Sequence, residues 1–109
     1  MKLVNYTPHP INLLVNGEYK LIPSSGSARV NQRRVAIGDI QTDIGSVALT
    51  ANHYGEITGL PEQEVGTWII VSRIVMTSAP ERNDLVAVNE TVRSTDSGFV
   101  TGAKSLTRL

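Results

Sequence analysis

The 109-residue chain contains no cysteine. That absence excludes disulfide bonds, thiolate nucleophiles and Cys-ligated metal ions, and it is compatible with the cytoplasm. The chain also lacks a long apolar run, because prolines and asparagines interrupt the apolar residues of segment 1–15. A signal peptide or a membrane helix is therefore not expected. We predict a cytoplasmic protein that has no membrane partner.

An excess of charge of either sign is missing as well. Ten Lys and Arg residues offset ten Asp and Glu residues, so a polymeric nucleic acid is not an expected partner. The few aromatic residues, one Trp, three Tyr and one Phe, form no basic and aromatic stripe of the kind that binds single-stranded nucleic acid. Charge is nevertheless uneven, since segment 35–64 contains acidic residues and neither Lys nor Arg.

Composition and turn signals predict one small β domain. With 40% hydrophobic and 18% charged residues, the chain has the make-up of a folded protein, and its length suits a single domain spanning residues 1–109. Short extended runs are separated by turn signals throughout the sequence. We therefore expect a mainly β fold, a small antiparallel β-sandwich or barrel built from several hairpins with one short helix.

Three hairpins are predicted. The strongest signal is Asn16-Gly17 between two apolar runs of segment 11–22, because both residues accept the positive φ of a type I′ turn. A second hairpin is expected over 46–58 with its turn at 52–55, preceded by a polar connector at 38–45. A third pairs two short runs, 85–88 and 91–94, with 99–105 through a turn at 95–98.

Segment 67–71, Thr-Trp-Ile-Ile-Val, predicts a buried central strand. Ser72 follows it and is placed to cap a short helix that stops before Pro80, with a prolonged strand as the alternative.

Complete enzyme motifs are absent. The two histidines, His9 and His53, have no metal-binding spacing, and no Gly-x-Ser-x-Gly elbow occurs. A Ser-His-Asp set made from distant residues such as Ser24, His9 and Asp84 is the weaker, hydrolytic interpretation. We expect no metal, no cofactor and no enzymatic activity.

Recognition of an anion is the favoured chemistry. Ser24 and Ser25 lie in the turn segment 23–27, where consecutive backbone N–H groups can converge on a phosphate, and Arg29 follows closely. A plain loop is the alternative interpretation, and for so short a motif it is the commoner one.

Further polar residues follow the predicted strands. Ser72 and Arg73 come directly after the buried strand; Arg82 and Asp84 either bind phosphate and ribose or form a structural pair. Segment 5–9 offers hydrogen-bonding groups on a restricted backbone, or simply holds the chain's entry. The candidate ligand-binding residues are Asn5, Thr7, His9, Ser24, Ser25, Arg29, Ser72, Arg73, Arg82 and Asp84.

Several of these motifs also occur together in one family. The patterns are Asn5-x-Thr7-Pro8-His9-x-Ile11, Pro23-Ser-Ser-Gly-x-Ala-Arg29-Val30, Gly59-Leu-Pro61, Ile70-Val-Ser72 and Arg82-x-Asp84-Leu85. They resemble a family of small uncharacterised proteins of bacteriophages, prophages and actinobacteria, over nearly the whole chain. The acidic-Gly turn typical of that pattern is replaced by Asp96-Ser97-Gly98. The resemblance implies a phage origin.

By analogy, a small phage protein without enzyme motifs implies an anti-defence role. The hypothesis is a protein that sequesters a phosphorylated nucleotide immune signal, ADP-ribose-like or cyclic, without changing it. The alternatives are a structural, assembly or inhibitor module that binds another protein, and a nucleotide-signal hydrolase with His9 as base. Small β domains often complete ligand sites at subunit boundaries, so we also expect a homo-oligomer, most simply a two-fold dimer.

Overall fold

The computed structural model describes residues 1–93 and 100–109, so the turn predicted at 95–98 lies outside the described residues. Eight strands and one helix follow one another in that part of the chain. They are β1 (Lys2–Asn5), β2 (Ile11–Val15), β3 (Glu18–Ile22), β4 (Arg29–Thr42), β5 (Gly45–Thr58), β6 (Thr67–Ile70), α1 (Arg73–Ser78), β7 (Leu85–Arg93) and β8 (Val100–Thr107). The mainly β class with one short helix is confirmed.

Six of the strands form one sheet in the order β1-β6-β7-β8-β2-β3, which curls into a nearly closed barrel. The remaining two, β4 and β5, form a separate two-stranded sheet. Antiparallel pairing, expected throughout, holds for the pairs β2–β3, β4–β5 and β7–β8. The pairs β1–β6, β6–β7 and β2–β8 are parallel instead.

Local signals located the first hairpin, the central strand and the helix correctly. Asn16 and Gly17 have φ of 51° and 82°, as a type I′ turn requires. Strand β6 lies between β1 and β7, and Ser72 caps α1 by accepting a hydrogen bond from the backbone N–H of Val75 at 3.4 Å. Helix α1 belongs to the crossover of residues 71–84, which the parallel β6–β7 pair requires. No helix of the described ranges is long and apolar enough to cross a membrane.

The predicted second hairpin is wrong. Residues 45–58 form one continuous strand that pairs with β4 from end to end, and the turn lies at Asp43 and Ile44. The polar connector expected at 38–45 is therefore the far end of this hairpin, and 52–55 lie within a strand opposite residues 32–34. The paired residues 31–42 and 45–56, nearly all of them exposed, are called the β4–β5 arm below.

The core lies where α1, β6 and β7 meet the base of the arm. Val75 and Met76 of the helix pack with Ile69 and Leu85, while Val30 and Ile57 at the base of the arm pack against this cluster. Beyond Ile57 the chain turns at Gly59, which has φ of 80°. A Cβ there would collide with the carbonyl oxygen of Ser27, so the close approach of these two segments requires glycine.

Asn5 joins the two edges of the barrel. Its side chain is fully buried, and its Nδ2 donates to the carbonyl oxygens of His9 at 2.8 Å and Ile22 at 3.2 Å. Its Oδ1 accepts from the backbone N–H and the hydroxyl of Thr7, at 2.9 and 2.6 Å. Its backbone carbonyl accepts from the N–H of Ser25, directly after β3. One amide thus links β1, the end of β3 and segment 7–9.

Replacing this amide is expected to destabilise the barrel. Asn5→Ala removes the partner of the Thr7 N–H and of the carbonyl oxygens of His9 and Ile22, and it leaves a space at a fully buried position, so we expect a loss of about 2–4 kcal/mol of unfolding free energy. Urea unfolding followed by Trp68 fluorescence measures it. Asn52→Ala, at an exposed position of the arm, is the control and should change stability by less than about 0.5 kcal/mol. Equal effects of the two variants would contradict the role given to Asn5.

Candidate functional site

Two adjoining cavities at one end of the barrel share Thr7 and Ser72. The smaller, about 350 Å³, is also lined by Pro8, residues 27–30, Gln32 and Ile74. The larger, about 620 Å³, is also lined by residues 9–11, Val71, Arg73 and residues 87–91. We call the two together the Thr7–Ser72 groove. Its size suits a small organic ligand.

The parallel pairing of β1 with β6 brings the groove together. Asn5 and Ile70 are register partners at the C-terminal ends of these strands, so Thr7 and Ser72 leave the sheet side by side. The crossover that begins at Ser72 then places Arg73 beside β7. Residues 27–29, which lead into β4, form the opposite wall of the smaller cavity.

Arg73 contributes a fixed positive charge to the larger cavity. Its Nη2 donates to Oδ1 of Asn89 at 2.9 Å, and it lies 3.5 Å from the carbonyl oxygen of Val88. Both partners are neutral acceptors. Glu90 lines the same cavity, but the one ion pair among the described side chains, those of residues 1–92 and 102–109, joins Arg82 and Asp84. The charge of Arg73 is therefore held in place without being neutralised.

Arg29 supplies a second guanidinium, at the smaller cavity. The side chain is exposed, and its Nε lies 3.4 Å from the hydroxyl of Ser27. A guanidinium donates two parallel hydrogen bonds to a phosphate or a carboxylate. The groove thus has a cationic fork in each of its two cavities.

Asn5, Ser24 and Ser25 support the groove from behind. The hydroxyl of Ser24 lies 2.6 Å from the carbonyl oxygen of Thr7 and 2.9 Å from that of Gly26. The N–H of Ser25 donates to the carbonyl oxygen of Asn5 at 2.7 Å. The sequence predicted that N–H groups of segment 23–27 converge on a phosphate. The N–H of Ser25 instead donates to Asn5 and closes the barrel. None of these three residues lines the two cavities.

Arg82 and Asp84 lie at the other end of the β6–β7 pair. Asp84 precedes β7 and its carbonyl accepts from the N–H of Ile69, whereas the groove lies beyond the C-terminal end of β6. The guanidinium of Arg82 donates to both carboxylate oxygens of Asp84, at 2.9 and 2.8 Å. These are the contacts of the structural pair that the sequence left open as an alternative.

His9 lines the larger cavity with an exposed side chain, while its carbonyl oxygen accepts from Asn5 and Thr7. The set of Ser24, His9 and Asp84 is not assembled, because Asp84 lies at the far end of β6–β7. In the residues that the structure describes, no group of three His, Asp or Glu side chains is placed to hold a metal ion.

No family model, curated protein or solved structure matches the chain. The chemistry of the groove itself therefore carries the functional argument. Five of the predicted site residues line it: Thr7, His9, Arg29, Ser72 and Arg73. They combine two cations, two hydroxyls and an imidazole, a set that suits an anionic ligand with further polar groups.

Sequence analysis missed Ser27, Asn89 and Glu90. Asn89 and Glu90 interrupt the apolar run of β7, and Glu90 has a positive φ of 49°. That interruption was interpreted as a gap between two short strands, although the strand continues through it. Two consecutive polar residues within an apolar strand were the available signal for a backbone irregularity next to a site.

The Arg82–Asp84 pair predicts a pH dependence of stability. The hydrogen bonds from Arg82 lower the pKa of Asp84, against the opposing effect of its burial. A lowered folded-state pKa stabilises the fold fully above the usual Asp pKa of about 3.9, and the effect is lost as pH falls through the folded-state pKa.

Asp84→Asn should therefore reduce the unfolding free energy at pH 7 by about 1–3 kcal/mol. The difference from the unaltered chain should shrink as the pH is lowered below 4 or so. Urea unfolding at several pH values measures this, with the exposed Glu62→Gln as control. A difference that stays constant down to about pH 2 would refute the assignment.

Proposed function

We propose that the chain binds a small phosphorylated, nucleotide-like ligand in the Thr7–Ser72 groove and sequesters it without chemical change. The observation that carries the proposal is the pair of guanidinium groups, Arg29 and Arg73, neither of which forms an ion pair within the described part of the chain. Their charges are available to a ligand, and phosphate oxygens match the fork geometry of arginine.

The remaining lining suits the other parts of a nucleotide. Pro8 and Ile74 give exposed apolar surface against which a base can pack. Asn89 and Glu90 supply an amide and a carboxylate, which accept hydrogen bonds from ribose hydroxyls or from the amino group of a base. The carboxylate of Glu90 would repel phosphate. The phosphate therefore lies beside Arg29, Ser27 and Arg73, and the ribose lies beside Glu90.

Sequestration rather than hydrolysis is supported by the surroundings of His9. Its ring has no hydrogen bond to a serine or threonine hydroxyl in residues 1–93 and 100–109, and a nucleophile with an oriented base needs such a contact. The hydroxyl of Thr7 is engaged with Oδ1 of Asn5 at 2.6 Å. Binding needs no activated nucleophile, only groups held in place beforehand.

The sequence motifs extend this proposal to a biological setting. Their resemblance to those of small phage and prophage proteins supports an anti-defence role, in which the ligand is a nucleotide immune signal such as an ADP-ribose derivative or a cyclic nucleotide. A protein of that kind acts by stoichiometric capture, and so depends on affinity and on the amount of protein present.

Calorimetry with a ligand panel tests the groove. We expect ADP-ribose or a cyclic dinucleotide to bind and unphosphorylated adenosine to bind far more weakly. Arg73→Ala should weaken binding of the phosphorylated ligand by roughly 10- to 100-fold, as expected for loss of a hydrogen-bonded charge. Arg29→Ala should act in the same direction.

The matched control is Arg108→Ala, an exposed arginine outside the groove, which should leave binding unchanged within about twofold. Absence of binding by every phosphorylated compound at millimolar concentration would rule out the proposal. An equal loss from Arg108→Ala would show that general charge, and not the groove, attracts the ligand.

The fate of the bound ligand is the next expected outcome. A ligand that binds should be recovered intact when the complex is denatured after prolonged incubation and analysed by mass spectrometry. Product that accumulates with the unaltered chain and disappears with His9→Ala would instead support hydrolysis with His9 as base.

A second candidate function, an assembly or inhibitor module, is favoured by one observation. The β4–β5 arm carries exposed apolar side chains, among them Ile37 at 57% and Ile44 at 87% of full exposure. Such surface is typical of sites that contact another protein. A protein partner captured through the arm, combined with no nucleotide affinity, would select this function.

A further inference from the structure

The two faces of the β4–β5 arm differ in composition. Register partners in an antiparallel pair point their side chains to the same face, and the arm pairs Val35 with Ala51, Gly38 with Leu49 and Ile40 with Val47. One face therefore carries Val35, Ile40, Val47, Leu49 and Ala51. We call this the apolar face of the arm.

Apart from Tyr54, the opposite face is polar or small. It carries Gln32, Arg34, Ala36, Asp39, Gln41, Ser46, Ala48, Thr50, Asn52 and Tyr54. Apolar residues on one face and polar residues on the other are typical of a sheet that covers a core with one side. Yet Ile40, Val47 and Leu49 are 41–44% exposed, and a two-stranded ribbon by itself is only marginally stable in water. The apolar face thus has the residue pattern of a buried sheet surface, although its side chains are exposed.

Charge changes sign along the arm. Arg33 lies near the base on the apolar face, as the register partner of His53, and Asp43 lies in the turn at the tip. Neither forms an ion pair within residues 1–93 and 100–109. An apolar stripe with a cation at one end and an anion at the other is complementary to its own copy turned end to end.

We propose that the apolar face of the arm packs against the same face of a second copy of this chain, with the two arms antiparallel and related by a two-fold axis. Arg33 of each copy then lies beside Asp43 of the other. With both arms pointing the same way, Asp43 would meet Asp43 and Arg33 would meet Arg33, which is unfavourable. A two-fold contact of one surface with itself also closes and adds no further copies.

The register places the axis at the Gly38–Leu49 pair. Because Ile37 is an extra residue in a bulge, Arg33 lies four pairs along the ladder from Gly38, and Asp43 lies five residues beyond Gly38, about 13 and 16 Å at the usual rise per strand residue. The face between them is about 30 Å long and two strands wide. That surface is smaller than the roughly 800 Å² per partner of a standard interface, so the dimer is expected to be weak and concentration-dependent.

The pairing leaves the Thr7–Ser72 groove open. Arg33, Asp43 and the apolar face do not line either cavity. The dimer therefore does not depend on the proposed ligand, so dimerisation and ligand binding can be tested independently of each other.

Sedimentation equilibrium over a range of concentrations tests the surface. The unaltered chain should dimerise in the micromolar range, and Leu49→Asp should weaken the dimer by more than about tenfold. Thr50→Asp is the matched control, because it adds the same charge one residue away on the polar face, opposite the small side chain of Ala36, and it should leave the dimer within about twofold. Thermal unfolding followed by Trp68, which lies on β6, reports whether each variant folds.

Cross-linking tests the direction without disturbing the apolar face. The chain has no cysteine, so any disulfide forms between introduced ones. A mixture of Arg33→Cys and Asp43→Cys chains should give a disulfide-linked heterodimer within the oxidation time, and Asp43→Cys alone should stay largely unlinked. A chain that remains monomeric at about 200 μM, equal weakening by Thr50→Asp and Leu49→Asp, or preferential linking of Asp43→Cys to itself would each overturn the proposal.

Discussion

The buried amide of Asn5 is the contact on which the rest of the structure depends. A sheet of six strands has two free edges, and here the last residue of β1 binds the end of β3 while its side chain holds the segment that follows. A fully buried amide is tolerated because its two donors and its acceptor oxygen all have partners. The same contacts fix Thr7 and His9, so the closure of the barrel and the wall of the groove have one origin.

The parallel crossover explains why chemically similar arginines differ in availability. Residues 71–84 carry the chain from the C-terminal end of β6 to the N-terminal end of β7. Arg73, at the start of the crossover, finds the neutral amide of Asn89; Arg82, near its end, finds the carboxylate of Asp84. Arg73 has no ion-pair partner among the described residues, whereas the hydrogen bonds of Arg82 to Asp84 stabilise the fold. The two arginines therefore differ because one contacts a neutral amide and the other a carboxylate.

Local sequence signals predicted those elements whose conformation is decided locally. Asn16-Gly17 fixes a turn by its backbone preference, and Ser72 starts a helix by its own hydroxyl. The arm and the parallel pairs depend on contacts between strands that are distant in the sequence. Polar residues such as those in segment 38–45 are compatible both with a connecting loop and with an exposed two-stranded ribbon, so their pattern does not distinguish the two. For the same reason Thr7, Ser72 and Arg73 could each be predicted as site residues from the sequence. That Arg82 and Asp84 lie far from them follows only from the strand order, which the sequence does not show.

Zero net charge conceals three separate electrostatic arrangements. Arg82 and Asp84 neutralise each other within the barrel, and in the proposed dimer Arg33 and Asp43 would neutralise each other between the two arms. Arg29 lies on the same strand as Arg33 but four residues nearer the barrel, about 13 Å away and beyond the Debye length of physiological salt. Arg33, and its pairing with Asp43 in the proposed dimer, therefore has little effect on the potential at the groove. Arg29 and Arg73 supply the positive charge at the groove, so the proposed anionic ligand would be attracted to the groove and not along the arm.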